Sequence, residues 1–315
     1  MTIHELLIAP FDDYGFMRRA LVASVALGLG AGPVGVLLVL RRMSLFGEAL
    51  SHAVLPGAAV GFVAAGGLSL LSMGAGGVVA GLVVALLSGL VSRNGALKED
   101  ASLASFYLIS LALGVLIVSL RGSNIDLLHV LFGTILAVDA QAMYIVGGIA
   151  TFTLAVLVLV YRPLVMECFD PAFMRAVGGR GSLYHLLFLL LVTINLVSGF
   201  QTLGTLMAVG MMMLPAIISQ FWNFSLPVMF VASALSAIFS GFVGLLISYH
   251  LGFPSGPSII LTSGFIYVIS LLLSPRGVVQ RFIRRSPGQP SLSKTSYSKG
   301  KLLKWIFVSN DTSMR

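Results

Sequence analysis

Residues 44–66 read SLFGEALSHAVLPGAAVGFVAAG, an apolar run long enough to cross a bilayer that nevertheless carries a carboxylate and an imidazole. A hydrocarbon core of about 30 Å takes roughly 20 apolar residues as a helix. An ionisable group at the middle of such a helix costs about 2.5–3.5 kcal/mol on insertion scales, so its presence needs a reason. Glu48 and His52 are four residues apart and therefore stack on one helix face. Pro56, four residues beyond His52, has no N–H to offer the His52 carbonyl, and its ring presses on that position. The pattern predicts a kink and a loosened backbone oxygen beside the pair, with Ser51 adjacent. Carboxylate, imidazole and carbonyl form the kind of N/O donor set that Zn²⁺, Mn²⁺ or Fe²⁺ accepts. The same spacing also suits an intrahelical Glu–His hydrogen bond that only neutralises two polar groups. The proline in register favours a permeation site.

The rest of the chain has the character of this run. Of 315 residues, 57% are hydrophobic and 10% charged, against about 25% charged in a soluble domain. Apolar stretches predict an all-α polytopic membrane protein of eight or nine spans. Nine fit at 20–40, 44–66, 70–92, 101–121, 135–161, 183–200, 204–222, 228–249 and 257–274. The one cysteine, Cys168, excludes an intramolecular disulfide. The start lacks a signal-peptide pattern, so the first span serves as its own insertion signal. The net charge of +8 resides in the tail after Pro275, which reads as a basic cytoplasmic anchor near anionic membrane lipid rather than a nucleic-acid site. Placing that tail inside sorts sixteen of the nineteen basic residues to the cytoplasmic side and puts the N-terminus outside. Arg18, Arg19 and Arg121 are the exceptions. If the 183–222 pair is partly re-entrant, the count becomes eight and the N-terminus moves inside. The division is thus a transmembrane domain over 1–276 and a tail over 277–315, Ser/Lys-rich and disordered by composition.

Other polar positions divide by context. Asp126 and His129 sit three apart between the fourth and fifth spans, either as a weak outer receiving site for a cation or as the polar face of an interfacial helix. Asp139 suits the start of a helix dipole. His250 lies in a Pro/Gly turn, and His185 begins the sixth span at an interface. Asn195 and Gln201 either bridge helices or line a pore. Met211, Met212 and Met213 point around an apolar helix and read as packing rather than copper chemistry. Pairs at Gly28/Gly32, Gly57/Gly61 and Gly77/Gly81 allow close helix approach, within one chain before a dimer seam. Pro215, like Pro56, predicts a kink. The segment 162–180, RPLVMECFDPAFMRAVGGR, has Asp170–Pro171 at a helix start and Gly178–Gly179 at its end. An amphipathic helix there is either an inert connector or the place where a soluble partner applies force. No phosphate-loop motif occurs, so ATP is not bound by this chain in that manner, and no nucleophile–base pair supports an enzyme.

These residues resemble the integral-membrane permeases of ABC-type zinc/manganese/iron uptake systems. The resemblance runs from about Phe16 to Arg276. It is carried by LRRMSLFGEALSHAVLPGAAVGF at 40–62, LFGTILAV at 131–138, FDPAFMRAVG at 169–178, GTLMAVGMMMLPA at 204–216 and PSGPSIIL at 254–261. It implies an ABC importer permease fold in the bacterial inner membrane, as a homodimer joined to two cytoplasmic ATPase subunits and fed by an extracytoplasmic metal-binding protein. It implies no permanently bound cofactor, a divalent ion as substrate with zinc first and manganese or iron behind, and Glu48 and His52 as transit ligands. Phe169, Asp170, Pro171, Met174 and Gly178 would touch the ATPase. Glu48 stands where the family usually has Asp, Thr134 where Asp or Asn is common, and Gly252 where an acid often precedes the turn. The alternative from another class is a secondary cation transporter using Glu48 and His52 as a proton or metal relay.

Overall fold

A computed structural model describes residues 3–43, 45–67, 69–94, 99–120, 138–222 and 224–275. Among these residues every regular element is a helix. Two short helices, α1 (Ile3–Leu7) and α2 (Ala9–Asp13), lead into α3 (Gly15–Leu40). There follow α4 (Phe46–Ala53), α5 (Leu55–Ala65), α6 (Leu70–Asn94), α7 (Glu99–Leu120) and α8 (Ala140–Leu159). Next come α9 (Tyr161–Phe169), α10 (Pro171–Ala176), α11 (Gly181–Leu203), α12 (Thr205–Phe221), α13 (Leu226–Leu251) and α14 (Ser255–Leu273).

Seven helical stretches have the length and apolar character of membrane spans, with α4 and α5 together forming one of them. The expected fourth and seventh spans correspond to shorter apolar helices, Ala101–Ile117 within α7 and Thr205–Phe221. The tail from 277 onward, along with Asp126, His129 and Thr134, lies outside the described residues.

The core centres on α3 and α11. Three-quarters of the most apolar window of α3 is buried, against about a quarter for α14. Small residues make this possible. A side chain on Gly28 would meet Ala237, and one on Gly32 would meet Ser233, so α3 and α13 approach backbone to backbone. A Cβ on Gly57 would fall on the Gly76 carbonyl, and one on Gly61 on the Ser72 carbonyl, which locks α5 to α6. All three glycine pairs therefore face other helices of the same chain.

Asn195, 1% exposed, bridges helices as one of its two expected roles required. Its Nδ2 donates to Thr153 Oγ1 on α8 at 2.7 Å and to the Leu191 carbonyl at 2.8 Å. Met211, Met212 and Met213 are buried. Asp139 is the N-cap of α8, its Oδ1 accepting from Ala142 N at 2.7 Å. Gly252 ends α13 in the left-handed region at φ +67°. Glycine takes that conformation without a Cβ penalty.

Candidate metal-transit site and coupling segment

Glu48 and His52 lie on α4 as their spacing predicts, with His52 Nε2 3.6 Å from Glu48 Oε1. Their position differs from a mid-membrane site in two respects. Glu48 is in the first turn of α4, close to the end that follows Arg41 and Arg42. Both side chains are also open, at 64% for Glu48 and 42% for His52. At that separation the two groups stand just beyond hydrogen-bond length. Tyr107 of α7 flanks the imidazole, ring centroids 6.1 Å apart.

The expected break in the helix is present. The helix is interrupted at Val54, between α4 and α5, with Pro56 in the first turn of α5. The carbonyl that draws a side-chain partner is Ala53's, not His52's: Ser110 Oγ of α7 donates to it at 2.8 Å. Pro56 supplies the break, and Ser110 of α7 braces the Ala53 oxygen next to it. Ser51 is turned back to the Glu48 carbonyl at 2.6 Å. Pro215 lies inside α12 and is buried. Among the described residues no group of three or more His, Cys, Asp or Glu gathers. Glu48 and His52 thus bring two donors, and an ion there would fill its shell with water or with groups from elsewhere.

The 161–180 region folds as two short helices rather than one. Asp170 caps α10, its Oδ1 accepting from Phe173 N at 2.9 Å. Gly178, at φ +74°, closes it, with Gly179 N donating to the Met174 carbonyl at 2.9 Å. Start and stop fall where the sequence marks them. Phe169 and Phe173 are exposed, at 58% and 50%, whereas Met174 is buried. Pro171 opens the helix. One apolar edge is free for a partner while the other docks on α11.

Two residues at this end carry no local signal in the sequence. Glu167 of α9 is 3% exposed, and its Oε2 has no hydrogen-bond partner. It faces Gly181, where any Cβ would collide with that oxygen, so the carboxylate sits against the N-terminus of α11. Arg41 Nη1 lies 3.1 Å from His185 Nδ1, and its guanidinium stacks 5.1 Å from the Phe188 ring centroid. Burial pushes the neighbouring Cys168 thiol up to about 11, partly offset by the Arg41 charge. His250 Nε2 contacts the Leu6 carbonyl at 3.0 Å, fastening the N-terminal helices to the end of α13.

A bundle of membrane-length helices with an open acid–imidazole pair on its second span has the architecture of a membrane transport permease. The chain belongs to the ABC 3 transport family, whose pattern matches residues 13–274. It is a multi-pass protein of the bacterial cytoplasmic membrane. Among its relatives, the manganese import system permease protein ScaB of Streptococcus parasanguinis is 36% identical over 266 residues, covering 84% of this chain and 93% of that one. The chelated iron transport system membrane protein YfeD of Yersinia pestis is 31% identical over 270 residues, 86% of this chain and 89% of that one. The solved structure of PsaBC from Streptococcus pneumoniae in complex with Fab superposes with a TM-score of 0.78 at 32% identity, covering 90% of this chain and 99% of that one.

Proposed function

We propose that this chain is the membrane-spanning subunit of an ATP-driven importer of divalent metal ions, with manganese or iron as cargo ahead of zinc. The observation that carries this reading is the open Glu48/His52 pair on the second span of a permease-family fold. Relatives named for manganese and for chelated iron support the order of metals. A hard or borderline ion with a high coordination number accepts a carboxylate and one imidazole, and keeps water in its remaining positions. Two protein donors suit transit, because a pathway must release what it binds. A second copy of the chain meeting at the α4/α7 face would bring further donors to this open pair.

ATP would be hydrolysed by separate cytoplasmic subunits that press on α10 through Phe169 and Phe173, and an extracytoplasmic binding protein would deliver the ion. Asp170, Pro171 and Gly178 fix that helix, and Met174 seats it against the bundle. The deciding experiment reconstitutes the chain with its ATPase and binding protein in vesicles and follows manganese, iron and zinc uptake with and without ATP. Uptake that needs ATP, with manganese or iron outcompeting zinc, is the expected result. Gradient-driven uptake by the chain alone would instead establish a secondary transporter.

A further inference from the structure

Between α3, α8 and α13 runs an apolar groove of about 530 Å³. Its floor includes Leu157 and Ala234, both buried, while its rim includes Val158 and Leu235, which are 78% and 60% exposed. A proline of the sequence lies in its wall. Pro33 lies inside α3, where it cannot donate to the Leu29 carbonyl and its ring crowds that turn. Leu29 and Pro33 both line the groove, so the proline and the carbonyl it leaves without a helix donor lie beside the cavity.

Along α13 the lining runs from Pro227 to Ile238. The eleven residue-to-residue steps between them rise about 16 Å, half of a hydrocarbon core of about 30 Å. The groove is therefore one leaflet deep, and it begins at the end where the basic residues lie. Tyr161 closes that end, edge-on to Phe230 with centroids 6.1 Å apart and planes at 88°. Arg162, exposed, follows it directly.

We propose that this groove holds one acyl chain of a phospholipid from the leaflet on the basic side, its headgroup phosphate met by Arg162 and the Tyr161 hydroxyl. An apolar slot at this depth is filled by hydrocarbon, since water there finds no partners and an empty slot forfeits packing. The depth fits a lipid tail ending at the bilayer midplane. Charge fits an anionic headgroup, which a basic residue near the membrane surface attracts. A second copy is the poorer occupant. The open Glu48/His52 pair lies on α4 beside α7, and α4, α5, α6 and α7 pack on one another. The groove lies on the flank where α8 and α13 pack on α3. The inference goes beyond the transport reading and holds whichever ion is carried.

Native mass spectrometry of the full chain in mild detergent, titrated with phosphatidylglycerol or phosphatidylcholine, tests it. The native chain is expected to retain one phospholipid, with about fivefold preference for phosphatidylglycerol from a single basic contact. Ala234→Phe and Leu235→Trp, which fill the floor and the rim, should each lower that occupancy by about tenfold. Leu261→Trp, at an exposed position of α14 outside the groove, should leave it unchanged. Arg162→Gln should erase the headgroup preference while the chain-binding signal persists. If Ala234→Phe does not fold, Leu235→Trp alone decides the matter, because that side chain already faces outward. Unaltered occupancy in the groove variants, equal loss in the Leu261 control, or cross-linking of the rim to a second copy in place of lipid would each overturn the proposal.

Discussion

Arg41 Nη1 stands 3.1 Å from His185 Nδ1, joining two residues 144 positions apart and fastening the elbow between α3 and α4 to the first turns of α11. Just beyond this anchor the backbone reverses at Arg42, whose φ of +60° is unusual for a residue with a side chain. Met43 N reaches back to the Leu38 carbonyl and Arg42 N to Val39, the two bonds of a Schellman stop. α4, with Glu48 and His52, leaves from this elbow. Arg41→Ala should therefore lower stability by about 1–2 kcal/mol through the lost charged hydrogen bond and ring contact. Arg41→Lys, which keeps the charge but not the planar stacking surface, should recover only part of it. Thermal melts of the detergent-solubilised chain read both.

For the acid–imidazole pair, Glu48→Gln and His52→Ala should each reduce metal uptake by roughly tenfold or more, on the scale of losing support at a metal ligand. Assembly with the partner subunits should persist, because both side chains are open and hold nothing in place. Glu48→Asp should retain transport with a changed order of metal preference. Undiminished uptake in both deletion variants would falsify the transit role.

In the segment around α10, Asp170→Ala should weaken that helix by about 1 kcal/mol through loss of its N-cap. ATP hydrolysis in the reconstituted complex should then continue while ions moved per ATP fall. A full transport ratio in that variant would remove Asp170 from the coupling path.

Glycine contacts give a sharp contrast. Gly57→Ala places a methyl on the Gly76 carbonyl and should cost about 1–3 kcal/mol. Gly147→Ala on α8 has open space and should leave the melting temperature level or slightly higher. Equal effects would mean that α5 and α6 do not touch as described.

Cys168 offers a pH test. Its thiol is raised from 9.0 to about 11 chiefly by burial, so in the folded chain it stays protonated at pH 8–9, where an ordinary thiol begins to ionise. Alkylation by iodoacetamide should be slow in the native chain until the pH nears 11, and fast at pH 9 once the chain is unfolded. Rapid native labelling at pH 8 would show that the α9 packing is wrong.

What the sequence made legible was local. Glu48, His52 and Pro56 could be read together because 3.6 residues per turn puts positions four apart on one face, and Asp170 and Gly178 because helix ends have their own chemistry. Apolar length marked nine segments, of which seven are helices long enough to cross a membrane among the described residues and two are shorter apolar helices. What stayed hidden depended on which helix touches which. Most spans are apolar all round, so no period marks the buried side, and nothing near Glu167 announces that Gly181 will cover it. Arg41 and Arg42 read as an ordinary basic pair, although one stacks on Phe188 and the other takes a left-handed turn. Pro33 reads as one more proline until α8 and α13 are seen to leave a gap beside it.

The contact between Gly57 and Gly76 has a mechanical consequence. Two backbones with no side chains between them leave no clearance for sliding, so α5 and α6 travel as one rigid body. A joint nearby is Val54, where α4 meets α5 and where Ser110 holds the Ala53 carbonyl. A rocking of the bundle would pivot there, swinging the acid–imidazole arm while its own continuation stays clamped.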